Sequence, residues 1–408
     1  MQPIQVPILG NSWFIGVVAL VHVLLVTIGG VAPLVAFIAE QQGLRKGDER
    51  YRRLAKAMVL IVLEVAVIGG IFGSGLVVVL IGLFPQVLLL VVNVFFWFLV
   101  LQLLAFIAGL GFLFAYLYTW ERPQGLHRAF GAVAAALPLI VMVVFSAGSA
   151  FTNTPGRWAQ SGAILAAVFN PTAIPSLLHR IVAGFSLTGF LIVAYALYKG
   201  RRASGEERGY YGFALGYGGR YAVYATILQV IPGAWFLFSL PPEAQRKFLG
   251  GELLLPWGLA IVLAMVAVAL VYGYTREVKR GLAARGVLAL AVVLVVATTW
   301  LMGYSRSQAR GSDLVYGVMN QKGDLTKAPP AYLAPAAASG EALYAARCGT
   351  CHPGLAGDPF ERAKKYPDDA SLAAFLKDPA SKGISMPPFV GTEQELRAVI
   401  DYLRRRPG

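Results

Sequence analysis

Two cysteines and a histidine fall together near the end of this chain, as Cys348-Gly349-Thr350-Cys351-His352. The pattern is C-x-x-C-H, the signature of covalent c-type haem attachment. Two thiols on one short turn can each form a thioether to the edge of one porphyrin, and the adjacent His352 then lies under the iron as an axial ligand. These are the only two cysteines in 408 residues, so neither is left over for a structural disulfide. The alternatives for such a pair, a thioredoxin-like dithiol or half a zinc site, fit the surroundings less well. Met386 follows in Ile384-Ser385-Met386-Pro387-Pro388, a Pro-rich loop able to hold a thioether rigidly.

The elements around these residues are helical. Ser339-Gly340-Glu341 opens a predicted helix, 341–347, that runs into the motif. A last amphipathic helix, 392–405, puts Leu396, Val399, Ile400 and Leu403 on one side. Helix, haem turn, Met loop, helix: residues 339–408 in this order resemble a class I cytochrome c. The resemblance implies His352 and Met386 as the axial pair, an arrangement that raises the iron potential.

The rest of the chain is of another kind. Hydrophobic residues make up 57% and charged residues only 14%, with a mean hydropathy of +0.64. That describes a polytopic membrane protein with a small soluble appendix and excludes an ordinary soluble enzyme. The net charge of +14 would suggest nucleic acid in a soluble protein. Here the basic residues cluster in short loops between apolar runs, a topology signal, and no nucleic-acid partner is expected. The first apolar run is long enough to span and shows no small-residue cleavage site after it, so it is expected to stay in the membrane.

Runs long enough to cross a bilayer, about 20 residues each, occur at 13–39, 57–81, 89–119, 129–150, 173–198, 212–239, 253–275 and 284–304. The second and third are separated only at Gly82-Leu83-Phe84-Pro85-Gln86, where Gly and Pro punctuate. The odd-numbered loops carry the basic residues, among them Arg45, Lys46, Arg122, Arg128, Arg201 and Arg280. By the positive-inside rule those loops are cytoplasmic, and eight spans then leave both chain ends outside. The haem c domain is thereby expected on the outer face, where c-type haem is normally attached. The segment joining it to the bundle contains Ala328-Pro329-Pro330 and Ala334-Pro335-Ala336, a semi-rigid extended tether. Within that segment, 314–319 is apolar enough to lie against the membrane domain. The expected fold is therefore all-α: an eight-helix transmembrane bundle in two four-helix halves over 1–305, a tether over 306–338, and a small cytochrome c domain over 339–408.

Ionisable residues inside spans are expensive and are functional candidates by default. His22 lies within the first span and His179 near the outer end of the fifth. Each is either a haem ligand or a histidine hydrogen-bonded to a neighbouring helix. His127, beside Arg128 at a helix start, reads as interfacial. Glu64 in the second span and Arg220 in the sixth lie at matching depths, and a buried ion pair between the two halves would relieve both charges. The other possibility is that each faces a wet cavity or a different partner.

These residues also carry a family pattern. His22 followed by a basic loop with Gly47-Asp48, the turn Tyr118-Thr119-Trp120-Glu121-Arg122, the stretch Ala150-Phe151-Thr152-Asn153-Thr154-Pro155, and Asn170-Pro171 leading into His179 and Ala183-Gly184 occur in order. Together they resemble the first subunit of cytochrome bd-type quinol oxidases, well over residues 10–240 and weakly over 250–310. The resemblance implies that His22 is a ligand of a high-spin oxidase haem and His179 a ligand of a low-spin haem b near the outer face. It also implies a second integral-membrane subunit or a respiratory complex as partner.

Several family parts are missing. No methionine opens the seventh span, which reads Glu252-Leu253-Leu254-Leu255-Pro256-Trp257. Ala297-Thr298-Thr299 stands where the family has a glutamate ligand, and the third span has only Gln102 in place of proton-conducting carboxylates. The Gly-Arg-Gln-Pro motif is reduced to Tyr304-Ser305-Arg306-Ser307-Gln308, and the quinol-binding loop is cut short. Met302 is the remaining guess for a second ligand to the low-spin iron.

The expectation is a respiratory electron-transfer subunit of a bacterial inner membrane, with one covalent haem c and one or two haem b groups. It passes electrons between its outer-face cytochrome c domain and haem b in the bilayer, and meets a redox partner on the outer face. A bd-like terminal oxidase fed by its own cytochrome c in place of quinol is the alternative. A plain membrane anchor for cytochrome c is the third reading.

Overall fold

The computed structural model describes residues 6–7, 11–122, 124–276, 283–311, 313–320, 339–348, 352, 358–384, 386, 388–389 and 393–405. In chain order the helices begin with α1 (Asn11–Lys46), α2 (Glu49–Leu83), α3 (Pro85–Tyr118) and α4 (Gln124–Phe151). Two short helices follow, α5 (Trp158–Ser161) and α6 (Ile164–Val168), then α7 (Ala173–Gly200) and α8 (Gly205–Leu228), which continues into α9 (Val230–Phe238). Next come α10 (Pro242–Gly250), α11 (Leu254–Arg276) and α12 (Ala283–Gln308), then the hairpin strands β1 (Asp313–Val315) and β2 (Met319–Asn320). The tail holds α13 (Gly340–Arg347), α14 (Pro359–Ala363), α15 (Asp369–Lys377) and α16 (Glu393–Arg405).

Among the described residues, eight helical stretches are long and apolar enough to cross a membrane, the number expected. The break between the second and third falls at Phe84, with Pro85 in the first turn of α3, where its missing N–H leaves no bond unmade. The first loop is shorter than expected. α1 and α2 have 36 and 35 residues, about 54 and 52 Å at 1.5 Å per residue, against a hydrocarbon core of about 30 Å. Both helices run out of the apolar slab, so Arg45, Lys46, Arg50, Arg52 and Arg53 ride on helical turns. The connection shrinks to Gly47, at φ +64°, and Asp48, whose carboxylate caps α2 by accepting from Arg50 N–H at 3.1 Å.

The bundle core runs through α1, α2, α4, α7 and α8, with Val31, Leu54, Val62, Ile192 and Ala222 fully buried. Large apolar side chains such as Trp97 and Leu255 stay exposed along the outside, which suits hydrocarbon and not water. The face opposite the basic loops is closed by short elements. The hairpin buries Val315, Val318 and Met319 against Leu90, Phe95 and Phe151, and Tyr316 N–H donates to Thr152 O at 3.0 Å. Apolar 314–319 thus lies on the membrane domain. The segment expected as a tether from 306 begins with the last turn of α12 and this hairpin. Its Pro-rich part, 321–338, lies outside the described residues.

In the tail, Ser339 caps α13 by accepting from Ala342 N–H at 3.3 Å. α13 crosses α16 at Gly340, where an added Cβ would collide with the Ala398 carbonyl. Leu343 then packs with Leu396, Val399, Ile400 and Leu403, the four residues that the periodicity put on one side. Thr392 lies outside the described residues.

Candidate functional site

In the tail, His352 N–H donates to Cys348 O at 3.1 Å. Cys348 and Met386 both border the apolar cluster of the tail. His352 is half-buried, and its Nδ1 is shut off from solvent with no hydrogen-bond partner among the described residues. A buried imidazole nitrogen without a partner, beside a thiol and a thioether at the edge of one apolar cluster, fits covalent haem c. Cys351 lies outside the described residues.

In the bundle, His22 sits eleven residues past the start of α1 and is half-buried. Its Nδ1 is 3.0 Å from Gly69 O of α2. A carbonyl can only accept, so Nδ1 carries the proton and the lone pair is on Nε2, the arrangement of a metal-ligating imidazole held by a backbone carbonyl. The ring rests on Gly73, where an added Cβ would stand 2.7 Å from its Cε1. Only glycine admits the ring there. On its other side Phe145 of α4 meets it edge-on, centroids 6.5 Å apart.

His179 sits six residues past the start of α7 and faces the opposite way, over Gly233 of α9, where an added Cβ would lie 3.5 Å from its Nδ1. That nitrogen is shut off from solvent and has no hydrogen-bond partner among the described residues. Both imidazoles therefore fit haem ligation: each is cradled by a glycine, and each keeps a ring nitrogen for a ligand. The alternative of histidines fully satisfied by neighbouring helices does not hold for His179.

Around Phe145, Ser149 and Thr152 lies a group that the sequence reading did not assemble. Arg180 follows His179 but turns toward α4. Its guanidinium stacks on Phe145 at 4.7 Å, and Nη2 donates to Ser149 Oγ at 3.2 Å. Arg306 of α12 donates to Ser149 O, and its own carbonyl accepts from Asn153 Nδ2 at 3.0 Å. Arg310 donates to Thr152 Oγ1 at 3.1 Å, and burial pushes its guanidinium below the ordinary value. Arg180 Nε and Arg310 Nε are buried without partners. Among the described residues no carboxylate pairs with any of the three. The only sequence signal was Arg306 in the reduced motif; the others lie on elements far apart in the chain.

The 150–155 and 170–171 motifs meet at this face. Thr154 Oγ1 donates to Asn170 Oδ1 at 3.0 Å, and Asn170 Nδ2 donates to Ala167 O at 2.8 Å. The 118–122 turn lies at the basic face, in a second polar group. There His127, expected at the interface, is buried at 4% exposure. Its Nε2 is 2.6 Å from Glu40 Oε1, and its Nδ1 is 3.1 Å from Thr119 Oγ1. Tyr116 OH donates to the other Glu40 oxygen at 2.6 Å. Thr119 already donates to Ala115 O, so its hydroxyl oxygen accepts from Nδ1–H. Glu40 is 1% exposed and belongs to α1, 87 residues before His127.

The expected ion pair between Glu64 and Arg220 does not form. Glu64 is exposed on α2 with no ion pair among the described residues. Arg220 is exposed on α8, its guanidinium 5.9 Å from the Tyr217 ring, at a groove of about 540 Å³ that Lys46 also lines. Depth along the helices matches, but rotation about their axes turns both side chains outward.

The missing family parts have structural replacements. Thr298 Oγ1 donates to Ala260 O of α11 at 3.3 Å and Thr299 Oγ1 to Val295 O within α12 at 2.9 Å, so both hydroxyls are bound to carbonyls. Met265 is exposed, and Met302 is half-buried in α12.

Comparison with known proteins bears on both parts. The family described as cytochrome bd terminal oxidase subunit I matches residues 12–247. The family described as cytochrome c oxidase, cbb3-type, subunit III matches residues 335–403. No curated protein matches the chain. Among solved structures, the bd oxidase from Geobacillus thermodenitrificans is similar in fold, with a TM-score of 0.59 at 17% identity over 73% of this chain and 84% of that one.

Proposed function

We propose, on the premise that this chain belongs to the cytochrome bd terminal oxidase subunit I family and carries a cytochrome c domain, that it conducts electrons between its tail and the bilayer. Its family memberships make it a haem-containing respiratory electron-transfer protein of the multi-pass membrane class. The finer reading assigns the roles. Cys348 and Cys351 bind haem c covalently, with His352 and Met386 as its axial ligands. His179 and His22 each ligate a haem b. Bound there, haem supplies one-electron chemistry at a potential set by its ligands and surroundings. The chain does the rest. Gly69 O fixes the His22 tautomer, Gly73 makes room for its ring, Gly233 packs on the His179 ring, and the apolar bundle excludes water. The protein resides in a bacterial inner membrane with its tail on the outer face, against a further membrane subunit and a redox partner there. The tether makes the encounter between tail and bundle intramolecular, so it does not wait on collision.

The observation that carries this reading is the pair of glycine-cradled imidazoles with ring nitrogens left for a ligand. Reduced-minus-oxidised spectra of the purified protein test it. His179→Ala is expected to remove a b-type band and leave the c band intact; an unchanged b band rejects the assignment. A terminal oxidase fed by the c domain is the second reading, favoured by the name of the family. Against it stand Thr298 and Thr299, whose hydroxyls are bound to carbonyls where that chemistry would call for a carboxylate. Carbon monoxide binding to a red-shifted high-spin haem would support it.

A further inference from the structure

One face of α8 carries a stripe that the electron-transfer reading does not use. Tyr217, Arg220, Tyr221, Tyr224 and Leu228 recur at helical spacing and form one wall of the groove of about 540 Å³. Phe185 of α7 stacks on Tyr221, centroids 5.9 Å apart, and Lys46 lines the groove from the last turn of α1. Both charged residues of the lining are cations, Lys46 and Arg220. Lys46 Nζ donates to a neutral partner, Tyr51 OH, at 2.8 Å. Arg220 is exposed and makes no ion pair or hydrogen bond among the described residues. Tyr217 is 3% exposed, and its hydroxyl has no partner there. Two cations and one orphaned hydroxyl thus share a groove that holds no carboxylate.

The depth of the groove says what fills it. Tyr217 packs on Tyr51 in the first turn of α2, centroids 5.7 Å apart, so the cationic end is level with the basic loop. From Tyr217 to the end of α9 at Phe238 is about 31 Å at 1.5 Å per residue, the thickness of a hydrocarbon core. Leu228 falls about 16 Å along that path, near the midplane. The groove is therefore one leaflet deep, with its cations at headgroup level and the exposed Tyr224 and Leu228 below them. A partner helix would need a slot running the full span, and this one stops halfway. A cation at the edge of hydrocarbon is costly unless it reaches an anion. A guanidinium fork matches phosphate oxygens, and an ammonium adds a point charge. Basic pockets between spans on this side suit anionic headgroups. We propose that the groove between α1, α7 and α8 binds one anionic phospholipid from the leaflet at the basic face. Arg220 and Lys46 hold its phosphate, the Tyr217 hydroxyl donates to it, and an acyl chain lies along Tyr224 and Leu228.

The test uses the full-length protein as purified with its haems, in detergent, and reads bound lipid by native mass spectrometry. Dioleoylphosphatidylglycerol and dioleoylphosphatidylcholine are titrated separately, then against inorganic phosphate. The unmodified protein is expected to take up one phosphatidylglycerol more tightly than phosphatidylcholine, and free phosphate at equal concentration should not displace it. Arg220→Gln and Lys46→Gln are each expected to weaken phosphatidylglycerol binding about five-fold, the worth of one basic residue against an anionic lipid, and to leave phosphatidylcholine unmoved. Arg220→Lys should retain most of the affinity, and Tyr217→Phe should lose less than either Gln variant. Equal affinity for the two lipids in the unmodified protein overturns the proposal, and that comparison needs no variant to fold. Unmoved phosphatidylglycerol affinity in both Gln variants overturns it as well. Displacement of the lipid by inorganic phosphate would mean a bare anion site, and a copurifying membrane subunit that blocks lipid uptake would mean a protein interface; either result also overturns it. All of these outcomes leave the haem b assignments untouched.

Discussion

At the basic face, Glu40, Tyr116, Thr119 and His127 form a ring of side-chain bonds in which both imidazole nitrogens and both carboxylate oxygens have partners. At the opposite face, Arg180, Arg306 and Arg310 gather with no carboxylate paired to them among the described residues, and two of their nitrogens have no partner there. The first group is buried and the arginines are half-buried, and both groups join α4 to distant helices. One is complete within the chain and the other is not. A polar group that satisfies itself is part of the scaffold; one that does not is waiting for something to bind. The same contrast separates His127, with two protein partners, from His179, with a nitrogen left over.

Breaking the closed ring should have the largest effect on stability. His127→Ala leaves Glu40 as an uncompensated buried charge and is expected to cost about 3–5 kcal/mol, read as loss of detergent-resistant thermal stability with the b and c spectra of surviving protein unchanged. Glu40→Gln keeps the shape and removes the charge. It should cost less, about 1.5–3 kcal/mol, the worth of hydrogen bonds to a charged group. If either change removed a haem band and spared stability, the assignment of this ring to the scaffold would be wrong.

The lipid-facing charges sharpen the contrast from the other side. Glu64→Gln and Arg220→Gln, singly and together, are expected to add within about 0.5 kcal/mol, because the two are not in contact. A larger coupling energy would restore the ion pair that the structure denies.

The smallest effect belongs to the tail. Hydrogen bonding from Ser371 N–H to the Asp368 cap holds that carboxyl below its ordinary range, and the Lys377 ammonium does the same for Glu393. Both folded values are depressed, so their stabilisation is complete above the unfolded values, about 4, and is lost as pH falls through the folded ones. Melting of the tail, followed by its c band, should drop modestly below about pH 4 and be flat from there to neutrality. A rise in stability on acidification would contradict the sign.

Much of this was legible from residue patterns. Apolar runs gave eight spans, Pro85 marked the break in the longest, and 3.6-residue periodicity named Leu396, Val399, Ile400 and Leu403 as the tail's core. The two spans' histidines were found because an imidazole in an apolar run is costly wherever it points. What could not be read was direction around a helix. Glu64 and Arg220 have matching depths and diverging faces. His127 looked interfacial beside Arg128 because its carboxylate partner lies 87 residues away. Arg306 stood only in a worn motif, and Arg180 and Arg310 carried no signal, since only the packing of α4, α7 and α12 brings them together. Long helices also hid the shortness of the first loop: polar turns of α1 and α2 beyond the bilayer read as a connection.

The most direct measurement is the rate at which an electron placed on haem c redistributes to haem b in the purified full-length protein, taken at two protein concentrations ten-fold apart. Transfer between a tethered tail and its own bundle predicts b-band reduction at the same rate in both. A rate that scales with concentration, or a c band that changes with no b band following it, would contradict the account.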